Sequence, residues 1–312
     1  MSENATRFNV KARRMPEIDA ALAAMRSDPP PVDRPVLLAG PTASGKSALA
    51  LALAEAQGRV VVNADALQVY DMWQVLTARP DAADCARAPH LLYGCVGADA
   101  EWSVGHWLRA MADLLAQHPN PVIVGGTGLY FRALTEGLAE IPPTPAAIRA
   151  EADAYLARAG LDAMLRDLDG DTAARIDRQN PARVQRAWEV QRATGQGLAA
   201  WQEQTPPPIL PLSQTAPFVM LPQPDWSARR IATRFESMIA QGALKEVRAV
   251  LPIWQARAPW AKAIGAPELV AHLQGHISLS EAVDAATLAT RQYAKRQRTW
   301  FRARMSGWVR LL

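Results

Sequence analysis

The first part of the chain alternates short apolar runs with stretches of helical composition. Residues 36–39, 60–62 and 121–124 are apolar without interruption, which is typical of strands buried on both faces of a parallel sheet. Residues 48–56 are rich in alanine and leucine, and Gly58 follows where a helix C-cap would lie. This alternation predicts an α/β fold in which helices flank a parallel sheet.

The pattern changes from strands to helices between residues 141 and 208. Thr144–Pro145 and Asn180–Pro181 each combine an N-cap residue with a proline at the first helical position, and Asp169–Gly170 predicts a turn. An apolar run at 218–221 then marks the return to a strand. We therefore expect an all-helical insertion domain, 141–208, between two parts of the core, 34–140 and 209–312.

The residues before the core are predicted to form an N-terminal extension. Charges of both signs are mixed there, no apolar stretch of the signal-peptide kind follows, and Pro29–Pro31 predicts a linker. We expect residues 1–33 to be a poorly ordered extension with a short helix over 17–27.

The last long segment predicts an amphipathic helix with a basic face. Ser278 and Glu281 form a capping box, and the helix is expected to continue past Arg302. One face carries a basic stripe at spacings of 4, 3 and 4: Arg291, Lys295, Arg298 and Arg302. A neighbouring, largely apolar stripe is expected to pack on the core: Val283, Ala286, Thr290, Tyr293, Gln297 and Trp300. Because residues 291–310 contain no acid, a nucleic-acid phosphate backbone is a natural counterpart of the basic stripe, and a merely solvated face is the alternative.

Composition agrees with a cytoplasmic enzyme of about two units. The 312 residues are 49% hydrophobic, and the net charge of +4 permits a nucleic-acid partner without requiring one. Cys85 and Cys95 are too few for a disulfide framework and match no metal spacing, which favours a reducing compartment. No apolar run is long enough to span a membrane, and we expect a monomer.

A complete phosphate-binding loop follows the first apolar run. Its residues fit the G-x-x-x-x-G-K-[ST] pattern: Gly40, Pro41, Thr42, Ala43, Ser44, Gly45, Lys46 and Ser47. Backbone N–H groups and the helix N-terminus would hold a di- or triphosphate, while Lys46 adds an ammonium and Ser47 a hydroxyl for Mg²⁺. The fold is therefore expected to be P-loop NTPase-like.

The acid that usually holds a metal in such proteins is missing after 121–124, where Gly125–Gly128 follows instead. The strand at 60–62 ends in Asp65, and parallel strands end on the same face as the phosphate loop. Asp65 should therefore point at the phosphate site. Three roles remain open for it: metal ligand, general base, or N-cap of a helix from Ala66 onward.

Several segments in order carry a family resemblance. They are Asp65–Tyr70, Thr77–Pro80, Ala88–His90, Gly125–Tyr130 and Lys295–Arg302. Together with the phosphate loop they resemble bacterial tRNA dimethylallyltransferases, from about residue 34 to the C-terminus. The resemblance implies transfer of a dimethylallyl group from dimethylallyl diphosphate to N6 of adenosine 37, beside the anticodon.

The same resemblance implies roles for individual residues. Asp65 would be the base, Thr127 would lie at the reaction centre, and Arg234 would contact the diphosphate, which the loop would hold with Mg²⁺ in place of ATP. The catalytic set is thus Asp65, Thr127, Lys46 and Arg234. Gln68 is expected to read the adenine edge with both a donor and an acceptor. The full set expected to contact tRNA is Asp65, Ala66, Leu67, Gln68, Thr127, Arg149, Arg183, Arg186, Lys262, Lys295, Arg298 and Arg302.

The chain departs from the family pattern at Ala66, at Leu76 and Arg79, at Tyr93–Gly94, and in the segment that begins at Lys262. We expect these changes to alter details of RNA contact and not the reaction.

Three alternative functions remain. They are a small-molecule kinase using ATP, an enzyme that prenylates free adenine nucleotides, and a non-catalytic RNA-binding protein. The missing acid after Val124 weighs against the kinase, and the basic stripe and insertion weigh against the second. An intact phosphate loop with Asp65 weighs against the third.

Overall fold

The structure is a computed structural model that describes residues 16–312. Most of what was expected of the N-terminal extension lies outside the described residues. From residue 16 on, a helix forms, and its Ala21 and Met25 are buried against the core. This part of the extension is therefore packed.

Six parallel strands form one sheet in the order β3-β2-β4-β1-β5-β6. The strands are β1 (Val36–Ala39), β2 (Val61–Asn63), β3 (His90–Leu91), β4 (Val122–Gly125), β5 (Ala216–Met220) and β6 (Val309–Leu311). The central strands β1 and β4 are buried throughout, which explains their uninterrupted apolar sequence.

Helices flank this sheet and build the insertion. They are α1 (Pro16–Ser27), α2 (Lys46–Gln57), α3 (Ala82–Arg87), α4 (Val104–Gln117), α5 (Gly128–Glu136), α6 (Ala146–Ala159), α7 (Leu161–Asp167), α8 (Gly170–Arg175), α9 (Pro181–Thr194), α10 (Leu198–Glu203), α11 (Pro224–Ala240), α12 (Ala243–Val250), α13 (Ala266–Leu273) and α14 (Leu279–Arg304). Short 3₁₀ turns lie at Leu212–Gln214, Leu251–Ile253 and Pro259–Lys262. None of the helices in the described part of the chain is long and apolar enough to cross a bilayer.

The chain divides into two compact units. The second unit is Arg132–Pro211, and the first comprises the described residues on either side of it. The expected insertion, 141–208, lies inside the second unit. Its core packs α6, α7 and α9 through Ala152, Met164, Leu168, Val184, Ala187 and Trp188.

The predicted helix starts are confirmed for α9 and α14, whereas the interpretations of two dipeptides are wrong. Asn180 caps α9, and the Ser278–Glu281 capping box opens α14. Thr144, however, does not cap a helix, because its hydroxyl accepts a hydrogen bond from Arg186, and Pro145 takes the N-cap position of α6. Asp169–Gly170 is not an isolated turn, because the Asp169 carboxylate accepts from the Thr172 N–H and starts α8.

The ends of β1, β2 and β4 lie close together because β1 and β2 both pair with β4. A Cβ on Gly125 would lie 2.0 Å from the carbonyl oxygen of Ala64, so only glycine fits where β4 leaves the sheet beside β2. This close approach brings the segments that follow the three strands to one edge of the sheet.

Replacing Gly125 by alanine should therefore lower the free energy of unfolding by about 1–3 kcal/mol or more, because the added methyl overlaps backbone atoms that have little room to move. Urea denaturation followed by circular dichroism measures the loss. Gly170→Ala is the matched control, since nothing lies within 4 Å of its Cβ position. Equal effects of the two substitutions would contradict the proposed backbone contact.

Candidate active site

The phosphate loop connects β1 to α2 and contains two left-handed residues, Ala43 at φ 61° and Gly45 at φ 89°. Its tip is held by residues far away in the sequence. The Thr42 N–H donates to Gln297 Oε1 at 2.8 Å, and Arg230 Nε donates to the Ala43 carbonyl at 2.9 Å. The Ala43 side chain packs against Ile231 and Ala294. Contacts from α11 and α14 therefore support the conformation of the loop.

Three of the predicted catalytic side chains influence one another electrostatically. Burial lowers the pKa of Lys46 to about 8, the Asp65 carboxylate opposes that shift, and Arg234 adds to it. Burial also lowers the pKa of Arg234, with a smaller contribution from Arg230, while Asp65 raises it. The structure thus brings two cations and one carboxylate together. Lys46 Nζ contacts the Pro41 carbonyl at 3.2 Å, inside its own loop.

Asp65 lies in a turn and not at the start of a helix, so the N-cap interpretation is wrong. Its N–H donates to Asn63 Oδ1 at 2.8 Å, and its Oδ1 accepts from the Leu67 N–H at 3.0 Å. Asn63 is buried and also donates to the carbonyls of Asp65 and Leu92, both at 3.0 Å. No donor among the described residues reaches Asp65 Oδ2. This oxygen remains available to accept a proton or to bind a metal.

The turn after β4 is hydrogen-bonded to the residues on either side of Asp65 in the sequence. Thr127 Oγ1 accepts from the Ala66 N–H at 2.9 Å, and the Thr127 N–H contacts the Ala64 carbonyl at 3.2 Å. These two contacts fix the Thr127 hydroxyl beside the Asp65 turn and leave its own proton without an acceptor among the described residues.

Gly126 marks the point where the two halves of the site meet. A Cβ on it would lie 2.5 Å from Gln297 Nε2, 3.2 Å from Asp65 Oδ2 and 3.5 Å from the Gly40 carbonyl. The carboxylate, the phosphate loop and α14 therefore converge on one glycine.

Gln68 does not match the role expected for it. Its Nε2 donates to the carbonyls of Thr77 at 2.9 Å and Ala78 at 3.1 Å, so both amide hydrogens are already used. Only Oε1 remains for a ligand, as an acceptor. The expectation that this amide offers both a donor and an acceptor is wrong, because the neighbouring loop uses the donors.

The loop that holds Gln68 is itself fixed by a carboxylate of α12. Glu246 accepts from the N–H groups of Gln74, Val75 and Leu76, at 2.5, 2.9 and 2.9 Å. Arg79 donates to the carbonyls of Tyr70 and Asp71 and to Gln74 Oε1. Its guanidinium is therefore used in holding this loop.

The basic stripe lies on the outer face of α14. Arg291, Lys295 and Arg302 are exposed, and Arg298 is partly exposed. None of the four has an ion-pair partner among the described residues. The neighbouring face of the helix carries the buried Ala294, Gln297 and Phe301. A cavity of about 220 Å³ lies between this helix and the turn at 126–129, with Thr127, Tyr293 and Trp300 in its wall.

The basic residues of the second unit have different surroundings. Arg183 pairs with Asp177 at 3.5 Å, and Arg186 lies 3.8 Å from Glu189. Arg149 is exposed, as is Lys262 of the first unit. Two of the three insertion arginines thus have acidic partners, unlike the stripe on α14.

Sequence reasoning missed three residues that support the site: Asn63, Arg230 and Gln297. Gln297 was assigned to the apolar stripe. An amide on a largely apolar helix face is the signal that could have identified it, because a buried polar side chain requires partners.

A profile of the family described as IPP transferase matches residues 68–304, and one described as isopentenyl transferase matches residues 34–89. The chain belongs to the IPP transferase family. A protein named tRNA dimethylallyltransferase from Cereibacter sphaeroides is 67% identical over 278 residues, which is 89% of this chain and 88% of the relative. Another of that name, from Dinoroseobacter shibae, is 63% identical over 280 residues, which is 89% and 94% of the two chains.

Solved structures of the family share the fold. The full-length tRNA isopentenylpyrophosphate transferase of Bacillus halodurans aligns with a TM-score of 0.64 at 27% identity, over 89% of each chain. A eukaryotic dimethylallyltransferase acting on tRNA aligns with a TM-score of 0.71 at 22% identity, over 86% of this chain and 69% of the other. The expected α/β phosphate-loop fold and the expected transferase class are confirmed.

The lowered pKa of Lys46 predicts that diphosphate binding takes up protons in alkaline solution. Near pH 9 the empty site holds a largely neutral amine, whereas a bound anion favours the charged ammonium. Affinity for a diphosphate monoester, which is fully ionised there, should fall as the pH rises above about 8. Calorimetry at pH 7 and pH 9, in buffers that differ in ionisation enthalpy, measures the uptake.

Lys46→Met is the control for this titration. Proton uptake at pH 9 that is the same in the variant and in the natural protein would show that another group is responsible.

Proposed function

We propose that the protein transfers the dimethylallyl group of dimethylallyl diphosphate to N6 of adenosine 37, beside the anticodon of tRNA. The supporting observation is the convergence on Gly126 of a phosphate loop and a carboxylate with an open oxygen. A leaving diphosphate and a nucleophilic amine need those two groups on opposite sides of the reacting carbon.

The diphosphate would lie in the loop, against the backbone N–H groups, Lys46 and Arg234. As the allylic C–O bond breaks, negative charge grows on the bridging oxygen and the phosphates. Fixed cations and N–H groups stabilise that charge without having to reorganise. The desolvation that lowers the pKa of Lys46 also strengthens its attraction to an anion.

The adenine amine needs help because its lone pair is delocalised into the ring. In this proposal, N6 forms a bond to the allylic carbon, the diphosphate leaves, and Asp65 Oδ2 accepts the displaced proton. Thr127 helps to orient the adenine that receives the dimethylallyl group. Its hydroxyl accepts from the Ala66 N–H and retains a proton that it can donate to the adenine ring. The target base must leave its stack, which costs a few kcal/mol, less in a single-stranded loop.

The residues at the loop fit Mg²⁺ held mainly by the substrate. Ser47 is exposed at the start of α2, and the described residues contain no cluster of three acidic, histidine or cysteine side chains that could bind a metal alone. Mg²⁺ commonly binds through substrate phosphates, water and one or two protein oxygens. It would neutralise charge on the diphosphate, with Ser47 as a ligand.

The basic stripe on α14 is the proposed tRNA backbone contact, because its cations have no protein partners to displace. Arg149, Arg183, Arg186 and Lys262 are the proposed additional contacts. A tRNA substrate also implies that the reaction takes place in the cytoplasm.

Two observations disfavour a kinase. The Thr42 N–H of the phosphate loop is occupied by Gln297, and no acid follows Val124. An enzyme acting on free adenine nucleotides would not need the basic stripe on α14, and this disfavours the second alternative.

The deciding experiment incubates the protein with unmodified tRNA, Mg²⁺ and dimethylallyl diphosphate. Mass spectrometry of the digested RNA should show one added dimethylallyl group on the adenosine beside the anticodon. Phosphate release from ATP that depends on a small metabolite, with unchanged tRNA, would favour the kinase. Transfer to free AMP in preference to tRNA would favour the nucleotide prenyltransferase.

Asp65→Ala should lower turnover by roughly 10²- to 10⁴-fold, the usual contribution of a positioned base, while diphosphate binding persists. Single-turnover kinetics and calorimetry measure the two quantities separately. Loss of diphosphate and Mg²⁺ affinity with unchanged single-turnover chemistry would instead identify Asp65 as a metal ligand.

Changing Lys295, Arg298 and Arg302 together to glutamine should weaken tRNA binding. The plot of log affinity against log salt should flatten by about two to three contacts. The matched control is the exposed triple Arg109, Lys245 and Arg248, also changed to glutamine, which removes the same charge elsewhere in the first unit. If the two triple variants have the same salt slope, the basic stripe is only a solvated helix face.

A further inference from the structure

Gln297 is a buried amide with two long-range partners. It lies on the inner face of α14 and is 7% exposed. Its Oε1 accepts from the Thr42 N–H at 2.8 Å, and its Nε2 donates to the Gly126 carbonyl at 2.9 Å. Both partners are backbone groups at the edge of the sheet where the site lies.

Each of these bonds leads to a different half of the site. Thr42 belongs to the phosphate loop. Gly126 precedes Thr127, whose hydroxyl holds the Ala66 N–H next to Asp65. A single side chain therefore spans the leaving-group side and the base side.

Few other side chains could make this link. The bridge needs one donor and one acceptor at the ends of a planar group, which an amide supplies and an apolar side chain does not. Without it, a loop N–H and a turn carbonyl in a buried position would lose their partners. The two halves of the site would then have one fewer restraint on their separation.

The bridge also has a consequence for the anion. The Thr42 N–H is directed to Gln297, so the loop has one fewer N–H group with which to bind phosphate oxygens. That N–H is on the first half of the loop, away from the start of α2. The remaining N–H groups, with Lys46, suit a shorter anion better than a longer one.

We propose that Gln297 is a positioning residue that sets the separation between the phosphate loop and the Asp65–Thr127 pair, and that it limits the loop to diphosphates. The first part rests on the proposed prenyl transfer. The second part concerns anion binding alone and holds whatever the reaction is.

The test uses Gln297→Met, which keeps side-chain length and removes both hydrogen bonds. Turnover should fall by roughly 10²-fold, because displacement of reacting groups by about 1 Å has that effect, while the KM for tRNA changes little. The ratio of inorganic triphosphate affinity to diphosphate affinity, measured by calorimetry without tRNA, should rise about tenfold as the Thr42 N–H becomes available. Gln292→Met, an exposed glutamine on the same helix, is the matched control.

Gln297→Glu gives a second, independent readout. The protonated acid can accept from the Thr42 N–H and donate to the Gly126 carbonyl, whereas the carboxylate repels both that carbonyl and the diphosphate. Burial raises the pKa of such a carboxyl. Activity relative to the natural protein should therefore recover as the pH falls from about 8 to about 6. A residue that only fills space would show no such recovery, and this arm decides the matter if Gln297→Met does not fold.

Turnover of a folded Gln297→Met within about twofold of the natural protein, with an unchanged preference for diphosphate, would overturn the proposal. The same holds for a flat relative pH profile of Gln297→Glu. If the natural protein does not prenylate tRNA, the proposed function fails, yet the diphosphate preference of the two variants still decides whether Gln297 shapes the anion site.

Discussion

The site depends on the parallel pairing of β1 and β2 with β4. The register sets Ala39 beside Gly125 and Asn63 beside Val124, so the three strands end within one residue of each other. Their continuations are the phosphate loop, the Asp65 turn and the glycine turn with Thr127. This register places the anion site next to the carboxylate of Asp65, as the proposed chemistry requires. The strand ends can approach this closely only because residue 125 has no Cβ that would overlap Ala64.

Helices from the C-terminal part of the first unit complete this edge. Arg230 of α11 holds the Ala43 carbonyl, Gln297 of α14 holds the Thr42 N–H, and Ile231 and Ala294 pack against Ala43. These contacts restrict the conformations open to the loop, and preorganised dipoles are effective in stabilising developing charge. The burial of this region also affects Lys46, whose pKa falls to about 8 because burial disfavours its charged form.

Helix α14 contributes residues to two different surfaces. Its outer face carries cations without protein partners, while its inner face reaches the phosphate loop through Gln297. The proposed RNA contact and the proposed leaving-group site are thus on neighbouring faces of one helix. In the second unit, Asp177 and Glu189 already accompany Arg183 and Arg186, so binding RNA there would compete with existing ion pairs.

Local signals in the sequence were enough for the strands around the phosphate loop, for α2 with its Gly58 cap, and for the starts of α9 and α14. Each of these depends on residues within a few positions of one another, such as a cap and the N–H that it binds. The phosphate loop could be predicted from its contiguous motif. Asp65 could be placed beside it because strand ends in a parallel sheet share a face. Only the tertiary structure decided the uses of the polar groups that bind at long range. Thr144 is engaged by Arg186 and Gln68 by the loop at 77–78, while Gln297 is bound to a loop 255 residues away. A buried amide must find a partner, but the sequence does not state which distant backbone group the fold will place beside it.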